Sequence, residues 1–249
     1  FIKLGTNDSK LSNRIHLDDF ERDYIDMVNS FKKENRNTRI ILLLPVPAFT
    51  TDTTRIWNEV IKNKIIPITR TVAYKTNSEV LDLYQLFIDQ PGLLPDMIHP
   101  SSLGATVIAK RLFEAVIQNE IEKIDILKSE EVKVLKTSNF YGYDLTDFEY
   151  NGIPCKVVKP KKVVPGAPWV MRARFWGHEP QTDIALLERG FHITYCDVAN
   201  LFGGPEAVKR WDEFYKLMTQ GGLSKKVVLE GEGKRCGLGG IQNNIRLKK

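Results

Sequence analysis

Two short segments carry side chains whose types and spacing suit acyl transfer: Gly5-Thr6-Asn7-Asp8 and Asp96-Met97-Ile98-His99-Pro100. A carboxylate three residues before a histidine can bond one imidazole nitrogen. The other nitrogen then stays free to take a proton from a hydroxyl nucleophile. In the first segment the Asn7 amide can aim at a developing oxyanion, while Gly5 lets the backbone approach closely. Taken singly, each segment is ordinary. A G-x-N-D is commonly a turn, and an Asp near a His is commonly a solvated pair.

Around these segments strands and helices alternate. Residues 1–4 read as a strand ending at Gly5. Residues 18–35 read as an amphipathic helix behind an Asp cap, with Phe20, Tyr24, Met27, Val28 and Phe31 at spacings of three and four. The aliphatic run 40–44, stopped by Pro45 and Pro47, fits a strand buried on both faces. Residues 52–63 are expected to be helical and 80–83 a strand. A closing helix is expected over 102–117 with Leu103, Val107, Leu112 and Val116 inward. This alternation implies a parallel α/β sheet, and the loop after a buried strand is where such a sheet presents ligand-binding groups.

Order and context tie the two segments together. The Gly5-Thr6-Asn7-Asp8 block, the strand running into Pro45-Val46-Pro47, Leu81-Asp82-Leu83-Tyr84, and Asp96-Met-Ile-His99-Pro100 before a helix all resemble an SGNH (GDSL-like) hydrolase, in that family's order. The resemblance implies a three-layer parallel sheet of the SGNH/flavodoxin-like type and serine-ester hydrolysis without metal or organic cofactor. It assigns Gly5 and Asn7 to the oxyanion hole and Asp96 and His99 to the catalytic acid and base. It also implies a Gly-Asp-Ser block carrying the nucleophile and a further glycine block, both expected ahead of Phe1. No serine here replaces the nucleophile. Ser9 and Ser12 follow the oxyanion block, and Ser101 and Ser102 are placed to cap the closing helix. Without that serine, His99 has nothing to activate.

From 119 to 138 the chain turns charged, so a partial SGNH domain over 1–122 and a linker over 123–138 are expected, with a second unit over 139–249. In that unit a hairpin is expected through Asn151-Gly152, then strands over 169–175, 191–196 and 225–229 and helices over 181–189 and 205–219. Residues 140–229 resemble the opening of an α/β-hydrolase fused behind an esterase. The resemblance rests on Trp169-Val-Met-Arg172-Ala-Arg174-Phe175-Trp176-Gly177-His178-Glu179, the helix with Trp211 and Tyr215, and Val227-Val-Leu-Glu230-Gly231. By it, Phe175 to His178 hold an oxyanion loop. A Gly-x-Ser-x-Gly elbow should follow, but the chain reads Gly231-Glu232-Gly233-Lys234-Arg235-Cys236-Gly237. Gly233 stands where the serine belongs, and a reading-frame change near Gly231 is one explanation. Cys236 as a substitute thiol lacks a partner histidine and acid. His16, His178 and His192 read as structural or orienting groups.

The formal net charge of +5 is spread along the chain, and the basic stretches 156–162 and 246–249 have no interleaved aromatics, so no nucleic-acid partner is expected. No apolar run reaches membrane-spanning length, and no signal peptide is present in this sequence, although relatives of this resemblance are commonly exported. Three widely spaced cysteines without a CxxC pair indicate neither a zinc site nor a disulfide framework. The expected substrate is an acetylated carbohydrate or other small ester. The competing readings are a non-catalytic fragment or binding module with a tendency to self-associate through exposed sheet edges, and a complex in which a separate polypeptide supplies the serine.

Overall fold

Alternate side chains of a strand leave opposite faces, and the aliphatic run of β1 (Ile41–Leu43) finds apolar cover on both. Leu42 and its neighbour Leu44 pack with Tyr24, Val28, Val72 and Ala73, whereas Ile41 and Leu43 pack with Phe87, Leu94 and Ala115. Burial on both sides is why this strand is continuously aliphatic. The structure is a computed structural model that describes residues 1–117 and 124–231. Its contacts divide the chain into two units, Phe1–Gln118 and Asn119–Lys249.

In the first unit β2 (Glu79–Leu81) lies parallel to β1. Residues 1–4 supply a single parallel bridge, Ile2 to Leu42, rather than a full strand. Helix α1 (Leu17–Glu34) buries Tyr24 and Val28, but Met27 and Phe31 stand exposed. Asp18 lies inside its first turn, and the capping position is His16.

The next helix starts later and runs further than 52–63. It comprises α2 (Asn58–Val60), a π-helical stretch over Ile61–Ile65, and α3 (Ile66–Lys75). The polar run before it bonds itself instead, with Thr54 N–H and hydroxyl both donating to Asp52 Oδ1. Pro67 has no N–H to offer an α-helical ladder, and the widened π turn ahead of it lets the helix continue.

After β2, Asp82 accepts from the Gln85 N–H at 2.8 Å and so caps α4 (Leu83–Phe87). The closing helix α5 (Ser102–Ile117) presents a different face from the expected one. Gly104, Arg111 and Ala115 are buried, Val107 and Leu112 are partly buried, and Leu103 and Val116 are exposed. Its close approach explains the choice of small residues: a Cβ on Gly104 would sit 2.9 Å from the Leu93 carbonyl.

The second unit is a six-stranded mixed sheet in the order β3-β4-β5-β7-β6-β8. Its strands are β3 (Val132–Phe140), β4 (Tyr143–Tyr150), β5 (Ile153–Lys159), β6 (Trp169–Arg172), β7 (His192–Cys196) and β8 (Val228–Glu230). The last three run parallel to one another, and the first three are antiparallel neighbours. Asn151 and Gly152, both at positive φ, turn β4 into β5. Residues 132–138, expected in the linker, form most of β3, an edge strand whose side chains are largely exposed. Helix α6 (Gln181–Leu187) contributes Leu187 to the apolar cluster on one face, and α7 (Pro205–Gln220) contributes Trp211 and Phe214 to the other. Cys155 and Cys196, buried free thiols, oppose each other across β5 and β7. Contact with the Cys196 thiol, then burial, pushes the Cys155 thiol far up. The tail with Gly233 and Cys236 lies outside the described residues.

Candidate active site

A cavity of about 350 Å³ brings the two chemical segments together, although they are far apart in the chain. Its wall includes Gly5, Thr6, Asn7 and Asp8 from one segment and Ile98, His99 and Pro100 from the other. Lys3, Lys10, Val46, Arg55 and Ile56 also line it.

The first wall is built on a glycine that any side chain would strain. Gly5 has φ +105°, and a Cβ there would lie 2.2 Å from Ile65 Cγ2, so the chain end of the Ile2 bridge turns directly against the π-helical stretch. A short 3-10 turn, Asn7–Ser9, follows. Its geometry is locked by Ser9, which is fully buried. The Ser9 hydroxyl donates to the Thr6 carbonyl at 2.8 Å and accepts from the Trp57 N–H at 3.1 Å. That hydroxyl is a brace and not a nucleophile. Asn7 uses its backbone carbonyl to accept from Lys10 N–H and from the Asn13 amide. Its side chain has no partner among the described residues and can donate into the cavity.

The opposite wall is a loop whose backbone is tied on both sides of Met97. Met97 N–H donates to the Leu94 carbonyl at 2.8 Å, and Phe49 N–H donates to the Met97 carbonyl at 2.9 Å. Met97 itself sits at φ +68°, an uncommon conformation for a non-glycine residue, which turns the chain between Asp96 and His99. Ile98 anchors the loop in the core beside Tyr84 and Ile65. Asp96 Oδ1 then accepts from the backbone N–H groups of Ile98 and His99, at 3.0 and 2.6 Å, and Asp96 Oδ2 pairs with His99 Nδ1 at 2.6 Å. The His99 N–H, then its imidazole, then the Ile98 N–H hold the Asp96 carboxyl well below the usual carboxylate range.

With Nδ1–H donating to that carboxylate, Nε2 carries the lone pair, the tautomer a general base needs. The His99 side chain is 77% exposed, so this nitrogen is accessible. The structure thus brings Gly5 and Asn7 on one wall and His99 on the opposite wall to a single cavity, with Asp96 bonded to His99 Nδ1.

No serine lines the cavity among the described residues. Ser101 accepts from the Gly104 N–H and so caps the start of α5, and Ser12 bonds Asn13. The loop 45–48 is fixed from below by Asn58, which accepts from Ala48 N–H at 3.0 Å and donates to the Tyr84 hydroxyl at 3.0 Å. Among the described residues no group of three or more His, Cys, Asp or Glu side chains is placed to hold a metal ion. No helix among them is long and apolar enough to cross a membrane.

In the second unit the loop after β6 holds Phe175, Gly177 and Glu179, all at positive φ. Beneath it Arg172 is buried, donating to Asp183 Oδ2 at 2.9 Å, to the His178 carbonyl at 3.0 Å and to Glu230 Oε1 at 3.1 Å. Such a network costs desolvation, which these three bonds offset. The signal for it in the sequence is a lone arginine in an apolar strand. His178 belongs to this loop through its backbone. His192 is buried opposite Trp169, and His16 stands exposed before α1.

Comparison with known proteins places the first unit. Residues 1–107 match the model of the GDSL-like Lipase/Acylhydrolase family. An acetylxylan esterase of Xylanibacter ruminicola is 32% identical over 136 residues, an alignment covering 46% of this chain and 28% of that relative. The chain therefore spans little more than a quarter of the length of the curated relative it matches. A solved structure of Bacillus cereus PatB1 with a sulfonyl adduct overlaps 85% of this chain and 88% of its own at 10% identity, with a TM-score of 0.25, too low to carry any argument. Residues 1–107 are thus similar to GDSL-like lipases and acylhydrolases, and part of the chain is similar to part of an acetylxylan esterase.

Proposed function

We propose that the first unit supplies the base, the orienting acid and an oxyanion donor of a serine carbohydrate O-acetylesterase, in a three-layer SGNH-type sheet. The observation that carries this is the shared cavity: the Asn7 amide and a His99 imidazole already bonded to Asp96 line one concavity of a size suited to a small acyl group. In such a site His99 Nε2 removes the serine proton as the hydroxyl attacks the ester carbonyl. The amide of Asn7 and a backbone N–H near Gly5 stabilise the oxyanion, and His99 then returns the proton to the leaving sugar oxygen. Acetylated xylan, the substrate class in the relative's name, suits this chemistry.

No serine lines the cavity among the described residues, and the residues that do line it are those that would serve one. The second unit fits the opening of an α/β-hydrolase sheet: β7 returns between β5 and β6, and β8 adds to the free edge of β6. The experiment is hydrolysis of p-nitrophenyl acetate by the purified chain together with labelling by a fluorophosphonate serine probe. Neither hydrolysis above background nor labelling is expected. Labelled serine, with turnover lost in His99→Ala, would overturn the reading of a site without its nucleophile.

A further inference from the structure

Two cysteines meet where the sheet of the second unit changes character. In the order β3-β4-β5-β7-β6-β8, β5 ends the antiparallel strands and β7 begins the parallel ones, so the β5–β7 pair is the seam between them. Cys155 of β5 stands directly opposite Cys196 of β7 across that seam. Both belong to the apolar cluster that Ala207, Trp211 and Phe214 cover.

The backbone bonds fix which kind of opposed pair this is. One step along the seam, the Asp197 N–H donates to the carbonyl of Pro154, its opposite residue, at 2.9 Å. Hydrogen-bonded and non-hydrogen-bonded pairs alternate along antiparallel strands, so Cys155 and Cys196 form a non-hydrogen-bonded pair. Such pairs have the closer Cα atoms, about 4.5 Å apart, within the range of about 4.4 to 6.8 Å that a disulfide spans. The two thiols already touch. The wide spacing of the cysteines in the sequence conceals this pairing, which only the strand register creates.

We infer that Cys155 and Cys196 are a disulfide site, closed by exchange with an external disulfide as the second unit folds. One thiolate attacks a sulfur of that disulfide and releases its first half as a thiol. The second thiolate then attacks the mixed disulfide, forms the Cys155–Cys196 bond and releases the other half. Two cysteine thiols are oxidised, one external disulfide is reduced, and the two protons end on the released thiols. At 2% and 1% exposure the pair is closed to reagents once the seam is packed. Exchange therefore precedes packing, and the finished bond is shielded from reductants. The bond ties the antiparallel strands to the parallel ones and encloses β6, α6 and the loop holding Phe175 and Gly177. It stabilises chiefly by restricting the unfolded chain.

The test uses the full chain with Cys236→Ser, which removes the third thiol. It is refolded from denaturant in oxidised glutathione or in dithiothreitol, then treated with iodoacetamide. In oxidised glutathione the expected product has lost two hydrogens and takes up no alkyl group, and digestion yields one peptide pair joined through Cys155 and Cys196. Melting of the second unit should rise by about 10 °C over the reduced chain, and this difference should vanish in C155A/C236S. The same bond is read without refolding by holding the native chain in oxidised glutathione just below its melting transition, where the seam opens transiently. A folded chain that alkylates at both cysteines under both regimes would overturn the inference. So would glutathione retained on both, or a joined pair that leaves melting unchanged or lower.

Discussion

His99 and Asp96 were legible in the sequence because their contact is local: a three-residue spacing suffices to bring a carboxylate under an imidazole. What lies between them was not. Nothing in the residue type of Met97 announces φ +68°, a conformation imposed by bonds to Leu94 and Phe49 from elsewhere in the fold. Lys3, Lys10 and Arg55 were illegible as cavity residues for the same reason, since only the folded chain brings them around one concavity. His192 shows how a buried residue acts on stability. Burial, with the Lys159 charge adding to it, pushes its imidazole down to about 4. The unfolded chain takes up that proton near the ordinary value of about 6.5, so stability is full above that pH and declines as pH falls from there towards 4. The loss is about 3 kcal/mol once both states are protonated. Thermal melts from pH 7.5 to 4 should show this decline in the wild type and a flatter course in His192→Leu. An unchanged slope in the variant would remove His192 as its source.

At the scale of elements, the strand buried on both faces and the Asn151-Gly152 hairpin followed from pattern alone, because their signals are short in range. Two other elements did not. Strand β3 is rich in lysine and exposed along most of its length, as suits a sheet edge, and so reads like a linker. Helix α5 brings Gly104 and Ala115 closest to the core, with Val107, Ile108 and Leu112 only partly buried beside them and Leu103 and Val116 left exposed. The nearness of Leu93 and Pro100 to Gly104 sets that face, and it is visible only in the folded chain. The Gly5 turn makes a sharper prediction. Alanine there must accept a positive φ and force Ile65 aside, at a cost of about 3 kcal/mol, so Gly5→Ala should lower the denaturant midpoint markedly. A variant as stable as the wild type would mean that the turn at the cavity wall is looser than described.

At the scale of the whole molecule, the division into Phe1–Gln118 and Asn119–Lys249 gives each unit its own apolar clusters. Two such units need not unfold together. Calorimetry should resolve two transitions, of which the one belonging to the second unit moves with pH through His192, while Gly5→Ala moves only the other. A single transition shifted by both changes would contradict independent units. The central claim is that the first unit holds a competent oxyanion donor and base awaiting a serine. It is tested most directly by joining a strand that carries a Gly-Asp-Ser block to the chain and measuring p-nitrophenyl acetate hydrolysis. The predicted result is turnover with fluorophosphonate labelling of the added serine, lowered at least about 10²-fold by His99→Ala and by Asn7→Ala. A folded, serine-bearing chain without turnover, or with turnover indifferent to His99, would contradict it.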